Sequence, residues 1–197
     1  MFHDIYVLSI VRNPFDWVES MRANPSNSPL HMNLGWEEFV TKPWTMPRYG
    51  RDLGAKNTSS CHQGFTYLES IPCIEQDRLP NSDIHPKYEL RLDKSGLPYE
   101  SIVDLRRDKL LNHLGVGNFA GVSDYKMIRF EDMILNGTAS ILAHYEKVLG
   151  VKSNCHPKEP TKLRSKSLPE DYIKWIRDHV DWDVEKLVGY RKEDFLA

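Results

Sequence analysis

Short apolar runs and amphipathic stretches alternate along the chain and predict its elements. Ile5 to Val11 is β-branched and aromatic and nearly all apolar, the pattern of a strand buried on both faces of a parallel sheet. Asn13-Pro14 then reads as an N-cap followed by proline at the first helical position. Trp17, Val18 and Met21 give the next helix an apolar side. Residues 23–29 are turn chemistry, and Leu34 to Val40 is a short helical piece ending at Lys42-Pro43-Trp44. Tyr49 to Tyr99 holds no sustained period and predicts a long irregular segment, the kind of place where specificity resides.

The second half is more regular. Tyr99 to Leu114 predicts a helix with Ile102, Leu105, Leu110, Leu111 and Leu114 inward. Its charges, Asp104, Arg106, Arg107, Asp108 and Lys109, are expected mostly outward, and Gly115 and Gly117 end it. Tyr125 to Phe130 is a second buried-strand candidate, and a helix follows from about Thr138 to Leu149 with Glu131 and Asp132 placed to cap it. Lys152 to Ser167 is a basic loop. Residues 168–171 open a last helix with Tyr172, Ile173, Ile176 and Val180 inward, and a shorter helix spans Val184 to Val188. The pattern predicts an α/β domain, with a parallel sheet flanked by helices and both strands in its core.

Length and charge narrow the function. A chain of 197 residues suits one domain with a proper core, here 1–197 with 49–99 as an irregular insertion. A formal charge of −2 leaves no basic excess to track a nucleic-acid backbone. No segment has the apolar length of a membrane span, and Met1 runs directly into a strand rather than a signal peptide.

The chemistry concentrates at the first strand–helix junction. Arg12 stands at the carboxyl end of the strand, the edge where open α/β sheets bind ligands. Ser20 falls nearly two turns after Asn13, on the same side of the helix and about 10 Å along it. A phosphate over the helix start would take Arg12 as a forked donor and Ser20 as a hydroxyl donor.

Residues 12–20, Arg-Asn-Pro-Phe-Asp-Trp-Val-Glu-Ser, resemble the R-[ND]-P-x-D-x-x-x-S element of sulfotransferases that use 3′-phosphoadenylyl sulfate. The resemblance implies that Arg12 and Ser20 hold the 3′-phosphate of the nucleotide. Met127 to Asp132 is similar to the family's [VL]-R-Y-E-D-L strand end, residues 101–109 look like a softer helix motif of one subgroup, and Gly189-Tyr190 resembles its C-terminal G-Y. The late basic loop of the family closes over the same phosphate, which makes Lys162 and Arg164 candidates here. His31, after a proline-rich loop, resembles a residue that faces the acceptor; a surface histidine is the plain alternative.

The implied fold is the P-loop nucleotide-hydrolase-like sulfotransferase fold. The implied activity is transfer of a sulfuryl group from 3′-phosphoadenylyl sulfate to a hydroxyl or amine of a carbohydrate or protein, without a metal. Glycine-rich patterns that wrap a 5′-phosphosulfate, G-x-x-x-x-G-K-[ST] or G-x-x-[RK]-[ST]-G-[ST], do not occur. The expectation is therefore an N-terminally incomplete domain, and no residue is assigned as the catalytic base. The alternatives are a non-catalytic fragment that keeps the 3′-phosphate half-site and a P-loop kinase-like enzyme, which would need a Walker lysine.

Compartment stays open between two readings. The spacing of Cys61 and Cys73 suits a disulfide, and Asn57 and Asn136 begin glycosylation sequons. If these are used, the chain is a Golgi-lumenal glycoprotein with Cys155 left over; if all three cysteines are reduced, it is cytoplasmic.

Overall fold

The computed structural model describes residues 5–25, 28, 31–49, 84–88, 91–93, 99–163 and 167–195. It is a mixed α/β chain, and its contacts divide it into two compact units, one of residues 1–16 and 109–197, the other of residues 17–108. Arg164, Lys166, Asn57, Cys61 and Cys73 lie outside the described residues.

The first unit is built on a two-stranded parallel sheet. Strand β1 (Ile5–Val11) pairs with the later strand of residues Val122–Arg129. The register runs from Tyr6 opposite Asp124 to Val11 opposite Arg129, with one irregularity between Ile5 and Tyr6. Helix α1 (Pro14–Ala23) begins just past β1 as the capping pattern predicts: Asn13 Oδ1 accepts from the Asp16 backbone N–H at 2.9 Å. The cap works because Pro14, at the first helical position, has no N–H to satisfy.

Burial on both faces of β1, expected from its apolar run, does not occur. Ser9 and Val11 are buried, whereas Ile5, Leu8 and Ile10 keep 38–49% of their exposure. Full burial of an apolar strand needs cover on both faces, and among the described residues the core packs on one. That core joins Val11, Leu110, Val184, Val188 and Tyr190, with Leu114, Met127 and Phe195 against it.

In the second unit, helix α2 (Trp36–Thr41) precedes strands β2 (Thr45–Tyr49) and β3 (Ile84–Tyr88), which pair antiparallel. Strand β3 falls inside the segment predicted to be irregular. Pro47 sits opposite Pro86, so neither position donates to the ladder, and the pattern carried no usable period.

Helix α3 (Ile102–Gly115) starts at an ST-type cap, with the Asp104 N–H on Ser101 Oγ at 3.2 Å. Two of its charges turn inward, against expectation. Arg106 is 3% exposed and lies over the Trp17 ring at 5.1 Å; Asp108 accepts from the Tyr99 hydroxyl at 3.0 Å and the Leu92 N–H at 3.2 Å. A buried charge is tolerated where such partners replace water. Leu111, expected inward, is 39% exposed.

Strand β4 (Val122–Arg129) hands over at Phe130 to helix α4 (Phe130–Asn136), which the sequence pattern left unread. Helix α5 (Ala139–Leu149) follows, then a loop whose described residues form no helix or strand, then α6 (Glu170–His179) and α7 (Trp182–Leu187). Of the stripe predicted for α6, Tyr172, Ile176 and, just past its end, Val180 are buried while Ile173 is half-buried, and the Tyr172 hydroxyl donates to the Phe15 carbonyl at 2.7 Å. Phe15, Trp182 and Phe195 form a ring cluster, with Phe15 and Phe195 centroids 4.8 Å apart. The C-terminal helices therefore brace the first turn of α1.

Candidate anion-binding cleft

The carboxyl end of β1 and the start of α1 open onto a cleft of about 340 Å³ lined by Arg12, Asp16, Phe130, Ile134, Thr161, Lys162 and Leu163. Each wall has a local cause. Arg12 is the first residue past β1, and its guanidinium lies 5.1 Å above the Phe130 ring. Phe130 and Ile134 are one turn apart on α4 and present one apolar face. Thr161 to Leu163 are carried in by the loop after α5, whose backbone is tied twice to the α4–α5 corner. The Thr161 N–H donates to the Ile134 carbonyl at 2.8 Å, and the Thr138 N–H donates to the Lys158 carbonyl at 3.0 Å.

Two of the sequence-predicted phosphate ligands, Arg12 and Lys162, thus line one cleft although they lie far apart in the sequence. Ser20 is an exposed residue of α1 and is not part of the lining, and Arg164 falls outside the described residues. Asp16 approaches Arg12 at 3.4 Å and also accepts from Asn13 Nδ2 at 3.0 Å. An incoming anion must compete with that carboxylate for Arg12.

Behind the cleft stands a residue the sequence reading assigned only to helix capping. Glu131 Oε1 accepts from the Asn13 backbone N–H at 3.0 Å and from Asn13 Nδ2 at 2.7 Å, while Oε2 accepts from the Tyr190 hydroxyl at 2.5 Å. Asp132 is likewise engaged away from the helix end, by Arg129 through Nε and Nη2 at 2.7 Å each. That hydrogen-bonded pairing raises the Arg129 pKa above its ordinary value. No local spacing announces the Glu131 contacts, because Glu131 and Asn13 are brought together only by the β1–β4 register.

No family model, curated protein or solved structure matches the chain.

His31 belongs to the core of its own unit rather than to a surface that faces an acceptor. It is fully buried, its Nδ1 is 2.8 Å from Ser28 Oγ, and its ring packs on Phe39 and Trp44 at 5.6 and 4.5 Å. Burial, reinforced by the Lys42 charge, lowers its pKa from 6.5 to about 4, against a small opposing effect of the Lys42 backbone. Cys155 is exposed and free, and Asn136 is exposed at the end of α4. Among the described residues, no group of three or more His, Cys, Asp or Glu side chains could hold a metal ion. Among them, too, no helix is long and apolar enough to cross a membrane.

Proposed function

We propose that this chain is a sulfotransferase-like protein that binds the 3′-phosphate of 3′-phosphoadenylyl sulfate in the Arg12–Lys162 cleft. In the full reaction the sulfuryl group leaves the nucleotide phosphate for a hydroxyl or amine, the acceptor loses its proton, and adenosine 3′,5′-bisphosphate departs. One observation carries the reading: the arginine of the R-N-P-x-D element and a lysine of the late basic loop line the same cleft, beside the start of α1. Cations at a strand end and a helix N-terminus are a recurrent way to hold a phosphate. The apolar wall of Phe130, Ile134 and Leu163 suits the organic part of a nucleotide.

Thermal-shift measurements with adenosine 3′,5′-bisphosphate and with adenosine 5′-phosphate test this directly. A ligand that binds the folded state raises the unfolding temperature by mass action. The reading expects stabilisation by the bisphosphate and little by the monophosphate, since only the former carries the 3′-phosphate. Equal response to both, or to neither, contradicts it. Stabilisation without sulfuryl transfer to any hydroxyl or amine acceptor would leave the half-site reading in place of the enzyme.

A further inference from the structure

We propose that Glu131 and Tyr190 are positioning residues that hold the backbone of Arg12 from both sides, and so fix where its guanidinium enters the cleft. The inference rests on the anion-binding reading of that cleft. Its basis is the pair of peptide groups flanking Arg12. On one side the Asn13 N–H donates to Glu131 Oε1 at 3.0 Å; on the other the Val11 carbonyl oxygen lies 3.2 Å from the Tyr190 hydroxyl. The same hydroxyl lies 2.5 Å from Glu131 Oε2 and shares its one proton between that oxygen and the Val11 carbonyl, which links the two contacts.

Tyr190 is itself fixed. It is 3% exposed, and the Arg129 guanidinium lies over its ring at 5.6 Å. Arg129 donates from Nη1 to the Gly189 carbonyl at 2.8 Å and is clamped by Asp132. Gly189 has φ +88°, a conformation that glycine adopts without strain and that turns Tyr190 towards β1. A Cβ there would also press on Arg129 Cδ at 3.3 Å.

Charge separates positioning from ligand binding. A carboxylate beside an anion site repels the anion, so Glu131 lowers affinity through its charge. What it supplies in return is hydrogen-bond acceptance: three donors converge on its two oxygens. An arginine whose backbone is already ordered gives up less conformational freedom on binding. Glutamine would keep an acceptor oxygen for Asn13 and remove the charge.

The test uses the full chain, with adenosine 3′,5′-bisphosphate as titrant and the heteronuclear NOE of the Arg12 Nε–Hε group as a second readout. Glu131→Ala and Tyr190→Phe are each expected to weaken binding about tenfold, the scale of one charged hydrogen bond. Both should also mobilise the Arg12 Nε–Hε group, whereas Glu131→Gln keeps the parent's order and binds at least as tightly as the parent. Glu131→Gln as weak as Glu131→Ala would overturn the proposal, as would an Arg12 signal unchanged in both deletion variants. Should Glu131→Ala fail to fold, Tyr190→Phe with unchanged affinity and Arg12 order, or Glu131→Gln bound about tenfold more weakly than the parent, would overturn the proposal. If the parent itself does not bind, the functional reading fails, and the Arg12 order in the variants still decides the positioning claim.

Discussion

The Lys158 carbonyl oxygen lies over Gly137, inside the space that a Cβ on that residue would fill. Gly137 has φ 71° and ψ −170°, a combination open to glycine and nearly closed to other residues. The bare Cα lets the loop after α5 come down on the α4–α5 corner, where Lys158 also donates its N–H to Thr138 Oγ1 at 2.8 Å. From there the loop runs to Thr161, bonded to Ile134, and delivers Lys162 to the cleft. A single glycine therefore connects a helix corner to the placement of Lys162 in the cleft.

Gly137→Ala should destabilise the chain by about 1–3 kcal/mol, the scale of one residue forced into a sparsely populated backbone region. It should also weaken nucleotide binding, because the loop must lift away from the corner. Thermal unfolding together with a bisphosphate titration checks both. A variant as stable as the parent would mean that the loop does not depend on this contact.

Asp16→Asn is expected to tighten anion binding several-fold. Asp16 sits 3.4 Å from the Arg12 guanidinium and competes for it, and removing its charge relieves about 1 kcal/mol of repulsion towards an incoming phosphate. Asparagine retains an oxygen to accept from Asn13 Nδ2, so the cap survives. Titration of parent and variant at two salt concentrations gives the sign; unchanged or weaker binding would show that Asp16 orients Arg12 more than it opposes the ligand.

His31 gives the chain a defined pH dependence. Folded, it takes up a proton only near pH 4; unfolded, near 6.5. Between those values the unfolded state binds more protons, so the unfolding free energy rises with pH through that window and levels off above it. The contribution present above pH 6.5 and lost towards pH 4 amounts to about 3 kcal/mol. Urea midpoints measured across the window should climb with pH in the parent, and the climb should be much reduced in His31→Gln. An equal slope in both would exclude His31 as its source.

Local chemistry was legible in the sequence. The bounds of β1 and the Asn13 cap needed only a β-branched run and the Asn-Pro pair, and α3 needed only its apolar stripe. Tertiary consequences were not. The apolar residues of β1 predicted two covered faces, but cover comes from other elements, and Leu8 and Ile10 stay exposed. Arg106 and Asp108 carry the composition of a solvated face and turn inward because Trp17, Tyr99 and Leu92 supply partners from elsewhere in the chain. His31 reads from the sequence as acceptor-facing or as a surface residue, and its core position shows only once Phe39 and Trp44 close around it. At the cleft, the strand end points to Arg12 and the family resemblance to Lys162, and both line it. Glu131 escaped because its partners, Asn13 and Tyr190, meet it only through the β1–β4 register and the C-terminal packing.

The proposed function requires Arg12 and Lys162 to hold a 3′-phosphate together. Calorimetric titration of the chain with adenosine 3′,5′-bisphosphate, beside Arg12→Ala and Lys162→Ala, tests this. Saturable one-site binding by the parent is expected, weakened by about 1–3 kcal/mol in each variant, the scale of a lost charged hydrogen bond. Binding that both variants leave intact, or no binding by a parent whose thermal unfolding is cooperative, would contradict it.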